Sequence, residues 1–251
     1  MKWKGKKSYW QQDIRKIEYV RAFAQGCILI GVVSYLFYER LWVSFLLSPY
    51  LIWYLKSWEK QMVRKKQREF QLQFKEGILS MSSALNVGYS VENAVREAWK
   101  DLQLLYTKEG RIVREFGCMV HQLDMKLPVE RILQEFAQRT GDEDVQTFVT
   151  VFSMAKKSGG DMVEIIQDAV YQIGEKIDVM KEINTMMAAK KMEFYIMSAI
   201  PFAMIGYLKI SFPSFLQVLY GNLMGIAIMT VCLLIYVIAF EVGKKIVEIE
   251  V

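Results

Sequence analysis

Two pairs of long apolar stretches bracket a charged central region, and they constrain the fold more than any other feature of the sequence. Ala22–Tyr38 and Leu41–Leu55 open the chain with Glu39 and Arg40 between them, and Phe194–Phe212 and Leu223–Phe240 close it around the nearly uncharged loop Pro213–Asn222. At about 1.5 Å per residue the first stretch extends on the order of 26 Å as a helix, and the second reaches a hydrocarbon core of about 30 Å if it continues to Trp58. Each pair reads as a membrane hairpin. A signal peptide is the alternative for the first stretch, but it lacks a small-residue cleavage site and a second apolar stretch follows at once.

Composition agrees with this segregation. The chain is 53% hydrophobic and still 24% charged, so the two residue classes must occupy different regions. Four prolines and few Asn-Gly or Asp-Gly pairs leave little punctuation for a many-stranded sheet, so an all-α protein is expected. Cys27, Cys118 and Cys232 form no CxxC pair, and His121 is the sole histidine. A structural zinc needs about four such ligands, so no metal and no disulfide framework is expected; Cys118 reads as small packing and His121 as helix surface.

Basic residues set the orientation. Residues 1–21 carry seven Lys/Arg against two acids, and Lys56–Arg68 carries six against one. Lys190 and Lys191 precede the third span and Lys244 and Lys245 follow the fourth, whereas the opposite loops hold Arg40 and Lys209. Lys/Arg-rich flanks stay inside, so both termini and the central region are expected in the cytoplasm of a multi-pass cell-membrane protein. Lys209 lies near the far end of its span, where its stem can carry the ammonium to the interface, and Pro201 is expected to bend that helix. Trp42, Trp53, Trp58, Tyr195 and Tyr220 fall near predicted span ends, where amphipathic rings belong.

Residues 69–189 hold 13 Lys/Arg and 19 Asp/Glu, net −6, so the overall charge of +5 resides in collars beside the membrane. That excludes nucleic acid as the main partner and assigns the collars to anionic lipid. The expected domains are a basic N-terminal segment 1–21, a transmembrane hairpin 22–58, a cytoplasmic helical domain 59–193, a second hairpin 194–240 and a tail 241–251.

Apolar stripes at three- and four-residue steps divide the central domain into six helices. Phe70, Phe74, Ile78, Met81 and Leu85 mark the first, which ends in the turn Gly88-Tyr89-Ser90, with Ser90 as N-cap of the second. Ala94, Val95, Ala98, Trp99, Leu102 and Leu105 line the second, which ends near Thr107–Gly110. Ile112, Val113, Phe116, Met119, Val120 and Leu123 line the third. Pro128 suits the first residue of the fourth, with Ile132, Leu133 and Phe136 inward and Gly141 closing it. Val145, Phe148, Val149 and Phe152 build the fifth, stopping at Ser158-Gly159-Gly160-Asp161. The sixth carries Ile165, Ile166, Ala169, Ile173, Ile177 and Met180 and has no stop signal before Phe194, so it is expected to run into the third span. Short connections make these helices antiparallel neighbours in a six-helix bundle.

Three segments together carry a resemblance. Asn86–Val95 (NVGYSVENAV), Leu127–Leu133 (LPVERIL) and Ala155–Ile166 (AKKSGGDMVEII), in this order and followed by a transmembrane tail, resemble the recurring segments of the type II secretion system F family. The nearest branch is the tight-adherence (Tad/Flp) pilus platform proteins, which have one such cytoplasmic domain. The resemblance, covering about residues 60–245, implies a non-enzymatic platform for assembling a type IV-like pilus. Its implied partners are a secretion ATPase, a pilin or pseudopilin, and a second copy or a paralogous platform protein. It implies no cofactor. Gly88, Tyr89, Ser90, Gly159, Gly160 and Asp161 transfer as turns rather than as reacting groups. If the helices alternate in direction, turns 88–90, 125–127 and 158–161 gather at one pole, where Glu92, Asp124, Lys126, Lys156, Lys157 and Asp161 would meet the ATPase.

Two other function classes compete. A transporter would line its path with intramembrane polar residues, for which Gln25, Ser34 and Thr230 are the available groups. A membrane enzyme would need a site, and the sequence has no GxxxxGK[ST], HExxH or GxSxG segment. Its many acids read as solvated helix faces.

Overall fold

The structure is a computed structural model that describes residues 10, 16–38, 48–107, 109–158, 162–212, 214, 220 and 222–247. The long elements are all helices: α1 Lys16–Tyr38, α2 Ser48–Asn86, α3 Val91–Leu105, α4 Arg111–Asp124, α5 Val129–Thr140, α6 Glu143–Ser158, α7 Met162–Ser211 and α8 Leu223–Val247. Among the described residues there is no strand. The chain forms two compact units, one of residues 1–14 and 62–180, the other of 15–61 and 181–251.

The first unit is the expected six-helix bundle, made by the later part of α2, by α3 to α6, and by the start of α7. Each predicted stripe supplies its core: Phe70, Phe74, Ile78, Met81 and Leu85 from α2, Phe116 and Met119 from α4, Phe136 from α5, Phe152 from α6 and Ile166 from α7 are all buried. Phe74 sits at its centre, with ring centroids 6.3 Å from Phe70, 6.1 Å from Phe136 and 6.0 Å from Phe148. Truncating such a ring to alanine costs about 3–5 kcal/mol.

Several expectations fail locally. Leu105 is 62% exposed, because α3 ends on it and the helix turns it past the core edge. Ile165 is exposed too: α7 presents Ile166, Ala169, Val170, Ile173 and Ile177 inward, and the residue beside that stripe is rotated about 100° off it. Cys118 is exposed rather than packed, while His121 is exposed as expected. Pro128 stands one position before α5, as its N-cap with φ −62° and ψ 136°, where its carbonyl still accepts from Ile132 N at 3.2 Å. Its missing N–H costs nothing there.

The second unit packs four helical segments: α1, residues 48–61 of α2, residues 181–211 of α7, and α8. Three helices are long and apolar enough to cross a membrane: α1 over Ile17–Tyr38, α7 within Met162–Ser211 and α8 over Met224–Val247. Of the expected second span, residues 41–47, Trp42 included, lie outside the described residues, and the rest lies in α2. That part of α2 packs against α1, where a Cβ on Gly26 would lie 2.5 Å from Leu51 Cδ1, and against α8, where Lys244 Nζ donates to Ser57 Oγ at 2.8 Å. Helices α7 and α8 approach as closely, since a Cβ on Gly243 would come within 2.5 Å of the Phe194 ring. Glycine at such crossings lets backbones close in without the hydrophobic drive that water would supply.

The expected continuity of the sixth bundle helix into the third span is present. Helix α7 runs 50 residues from Met162 to Ser211 with Pro201 inside it.

Candidate docking end of the bundle

Two adjacent turns at one end of the bundle are built by the same hydrogen-bond pattern. After α2, Tyr89 N donates to Ala84 O at 3.1 Å and Gly88 N to Leu85 O at 3.0 Å, with Gly88 at φ +96°. This is a Schellman motif, which needs a left-handed residue and finds glycine. Ser90 then caps α3 by accepting from Asn93 N at 3.4 Å. After α4, Leu127 N donates to Gln122 O at 3.2 Å and Lys126 N to Leu123 O at 2.9 Å, the same motif with Lys126 at φ 64° in the glycine position. A non-glycine residue there costs on the order of 1–2 kcal/mol, so the site holds its lysine against a local preference.

Ion pairs draw the helix ends together. Arg96 in α3 reaches Asp124 at the end of α4 at 2.7 Å, and Lys156 near the end of α6 pairs with Glu130 in the first turn of α5. The hydrogen bond from Lys156 holds the Glu130 carboxyl below its ordinary range. Glu92, Asp124, Lys126, Lys156 and Lys157 are all exposed at this end of the bundle. Beside them stand three exposed apolar side chains, Val87 at 80%, Tyr89 at 51% and Met125 at 56%, of which the sequence reading singled out Tyr89 alone, as a turn residue. An exposed apolar group rimmed by charge is the usual make-up of a protein contact. Gly159, Gly160 and Asp161 lie outside the described residues.

The opposite end is held by buried acids, contrary to their reading as solvated faces. Asp142 is 5% exposed and Asp144 3%. Asp142 Oδ1 accepts from Asp144 N at 3.0 Å and Val145 N at 3.4 Å, capping α6, and Gln71 Nε2 donates to both carboxylates at 3.2 Å. Lys176 of α7 closes on Asp144 at 2.7 Å. Burial first, then the Asp144 charge, raise the Asp142 pKa. Each carboxylate has partners from outside its own helix, which is how a bundle tolerates buried charge.

In the second unit the polar groups considered for a transport path act as packing contacts or face outward. Ser34 is buried, Thr230 Oγ1 donates to Ile226 O at 2.8 Å and lies 3.0 Å from Tyr38 Oη, and Gln25 is exposed. Lys209 Nζ donates to Tyr35 O at 3.0 Å and lies 3.7 Å from the Tyr35 ring centroid and 5.6 Å from that of Tyr220. The ammonium is thus held by an aromatic cradle. No group of three or more metal-ligating side chains occurs among the described residues.

These features define an all-helical membrane protein in which a charged six-helix bundle shares a continuous helix with a membrane-length segment. The family model for protein F of the type II secretion system matches residues 78–208, more than half of the 251-residue chain, and the chain belongs to that family. It is therefore a platform-family protein of the type II secretion and type IV pilus-related machines. Comparison with curated proteins and with solved structures finds no match.

Proposed function

We propose that this protein is the cytoplasmic-membrane platform of a tight-adherence (Tad/Flp) type of pilus assembly, coupling a cytoplasmic secretion ATPase to extrusion of a pilin without catalysing a reaction itself. The observation that carries the reading is α7, which begins in the bundle core at Ile166 and continues unbroken to Ser211. A continuous helix, which lacks one backbone donor at Pro201, transmits axial load and twist that a loop would dissipate. The likeness of residues 86–95, 127–133 and 155–166 to the segments of tight-adherence platform proteins supports that branch, and the lack of a GxxxxGK[ST] segment in this sequence supports a non-catalytic role.

The proposed topology has four spans, with both termini and the bundle in the cytoplasm. It is supported by Arg21, Lys56, Lys60, Lys190, Lys191, Lys244 and Lys245, which flank the segment ends joined through Tyr19–Trp58 and Lys244–Ser57, while Lys209 stands at the other ends. The ATPase is proposed to dock on the end carrying Lys126, Lys157, Glu92, Val87 and Met125, with the charges steering approach.

Co-purification of the ATPase with the full-length membrane protein tests this. Lys126→Glu with Lys157→Glu is expected to reduce capture at least about tenfold while melting temperature and membrane yield stay unchanged. Glu143→Lys, at the exposed opposite end, serves as the control. Asp144 is unsuitable because it is buried and paired with Lys176. Capture that survives the lysine reversals and is lost with Glu143→Lys places the docking surface at the opposite end.

A further inference from the structure

Lys244 of α8 is half-buried and pairs with no carboxylate among the described residues. Its Nζ donates to the neutral Ser57 Oγ of α2 at 2.8 Å and lies 5.9 Å from the Trp53 ring centroid. An ammonium carries three donors, and Ser57 takes one of them. The serine accepts through its oxygen and keeps its own hydrogen for a further acceptor. A cation and a hydroxyl therefore meet at one point, and both have donors to offer an anion.

The face of α2 that meets α8 extends this chemistry. At about 100° per residue, Trp53, Ser57 and Lys60 fall within about 60° of one another around the helix, with Lys56 at the edge of the stripe. Lys56 and Lys60 are exposed, and among the described residues neither pairs with a carboxylate. One turn back from Lys56 the surface becomes apolar, with Ile52 62% exposed and Trp53 41%. Lys244 itself follows the apolar run Leu223–Phe240 by four residues, about 6 Å along the axis, which is headgroup level for a bilayer that α8 crosses. Ammonium and hydroxyl donors beside an apolar, indole-flanked ledge match a phosphate that carries acyl chains. A free phosphate would meet the donors and leave the ledge bare.

We propose that the groove between α2 and α8 seats one anionic phospholipid, its phosphate held by Lys244, Lys60 and the Ser57 hydroxyl and an acyl chain lying against Trp53 and Ile52. This is one defined seat within the basic collar, distinct from the diffuse attraction of the collar as a whole. Lys245, the next residue of α8, is turned about 100° away from it. The seat requires only that α8 crosses a bilayer. Both faces of a nanodisc present the same lipid, so failure of the proposed orientation or of ATPase docking would leave it standing.

Native mass spectrometry of the full-length protein released from nanodiscs tests the seat, with phosphatidylcholine and phosphatidylglycerol of identical acyl chains in equal parts. The wild type is expected to retain one phosphatidylglycerol at least about tenfold over phosphatidylcholine. Lys244→Gln with Lys60→Gln should abolish that preference, and Ser57→Ala should weaken it severalfold. Arg21→Gln with Lys245→Gln removes the same charge outside the groove and should leave it intact. If the Lys244 variant does not fold, Lys56→Gln with Lys60→Gln keeps the Lys244–Ser57 contact and should weaken the preference severalfold. Equal losses inside and outside the groove overturn the seat, because retention then follows total collar charge. Retention untouched by the groove variants overturns it as well. Inorganic phosphate should displace no more lipid than chloride of equal ionic strength, and a larger displacement would show a free-anion site in place of a lipid seat.

Discussion

Tyr236 of α8 donates its hydroxyl hydrogen to the carbonyl of Ser198 in α7 at 2.7 Å, three residues before Pro201. Proline offers no N–H to the Met197 carbonyl four residues back and its ring crowds that turn, while the adjacent Ser198 carbonyl is tied to α8 by Tyr236. Tyr236→Phe is expected to destabilise the protein by on the order of 1 kcal/mol in thermal unfolding in detergent. Pro201→Ala supplies a donor to the Met197 carbonyl and not to Ser198, so the same tyrosine substitution is expected to cost about as much in that background. Costs differing by more than about 0.5 kcal/mol would show that the two positions are coupled through this turn.

Lys126 gives a second prediction, in which stability and function move oppositely. Lys126→Gly relieves the left-handed strain at φ 64° and should stabilise the protein by about 1 kcal/mol in a denaturant titration. It removes a cation from the proposed docking end, so ATPase capture should fall in the same variant. A stabilised protein that binds as well as the wild type would relieve Lys126 of any part in docking.

The sequence showed the helices more clearly than the groups that hold their ends. Apolar stripes identified the cores of α2, α4, α5 and α6, because burial of a helix face repeats with the helical period. Gly88 announced its turn. The equivalent turn at Lys126 was placed, but its left-handed residue gave no sign, because hydrogen bonds from Lys126 and Leu127 fix that conformation against the residue's own preference. Asp142 and Asp144 read as surface because their partners, Gln71 and Lys176, lie 71 and 32 residues away respectively.

Asp142 and Glu130 should bend the pH dependence of stability in opposite senses. Asp142 has a raised pKa, so the folded state binds more protons than the unfolded state between the ordinary aspartate value and the raised one. Stability from this group therefore falls as pH rises through that window, and Asp142→Asn should remove the slope while keeping the Oδ1 cap. Asp142→Ala should lose about 1 kcal/mol at neutral pH with the cap. Glu130 is lowered, first by its hydrogen bond from Lys156, so its contribution is present above the ordinary glutamate value and is lost as pH falls through the lowered one. Glu130→Gln should flatten that acid limb. Urea titrations from pH 3 to 7 check both signs.

Cysteine labelling in intact cells checks the topology in a background with Cys27, Cys118 and Cys232 replaced. Val87→Cys, at an 80% exposed turn position that makes no cap, should resist a membrane-impermeant maleimide until the cells are opened. Asn222→Cys, exposed beside the start of α8, should react at once. The reverse pattern would invert the proposed orientation.

The unbroken course of α7 has a consequence for which changes of length the chain tolerates. Each residue of a helix advances the chain by about 1.5 Å and turns it by about 100°. One residue inserted between Met180 and Lys190 would leave α7 helical on both sides yet turn everything after the insertion by about 100° about the helix axis. Seven inserted residues, close to two full turns, would lengthen the helix by about 10 Å and leave a residual turn of only about 20°. Length variants in this stretch should therefore survive in steps of whole turns.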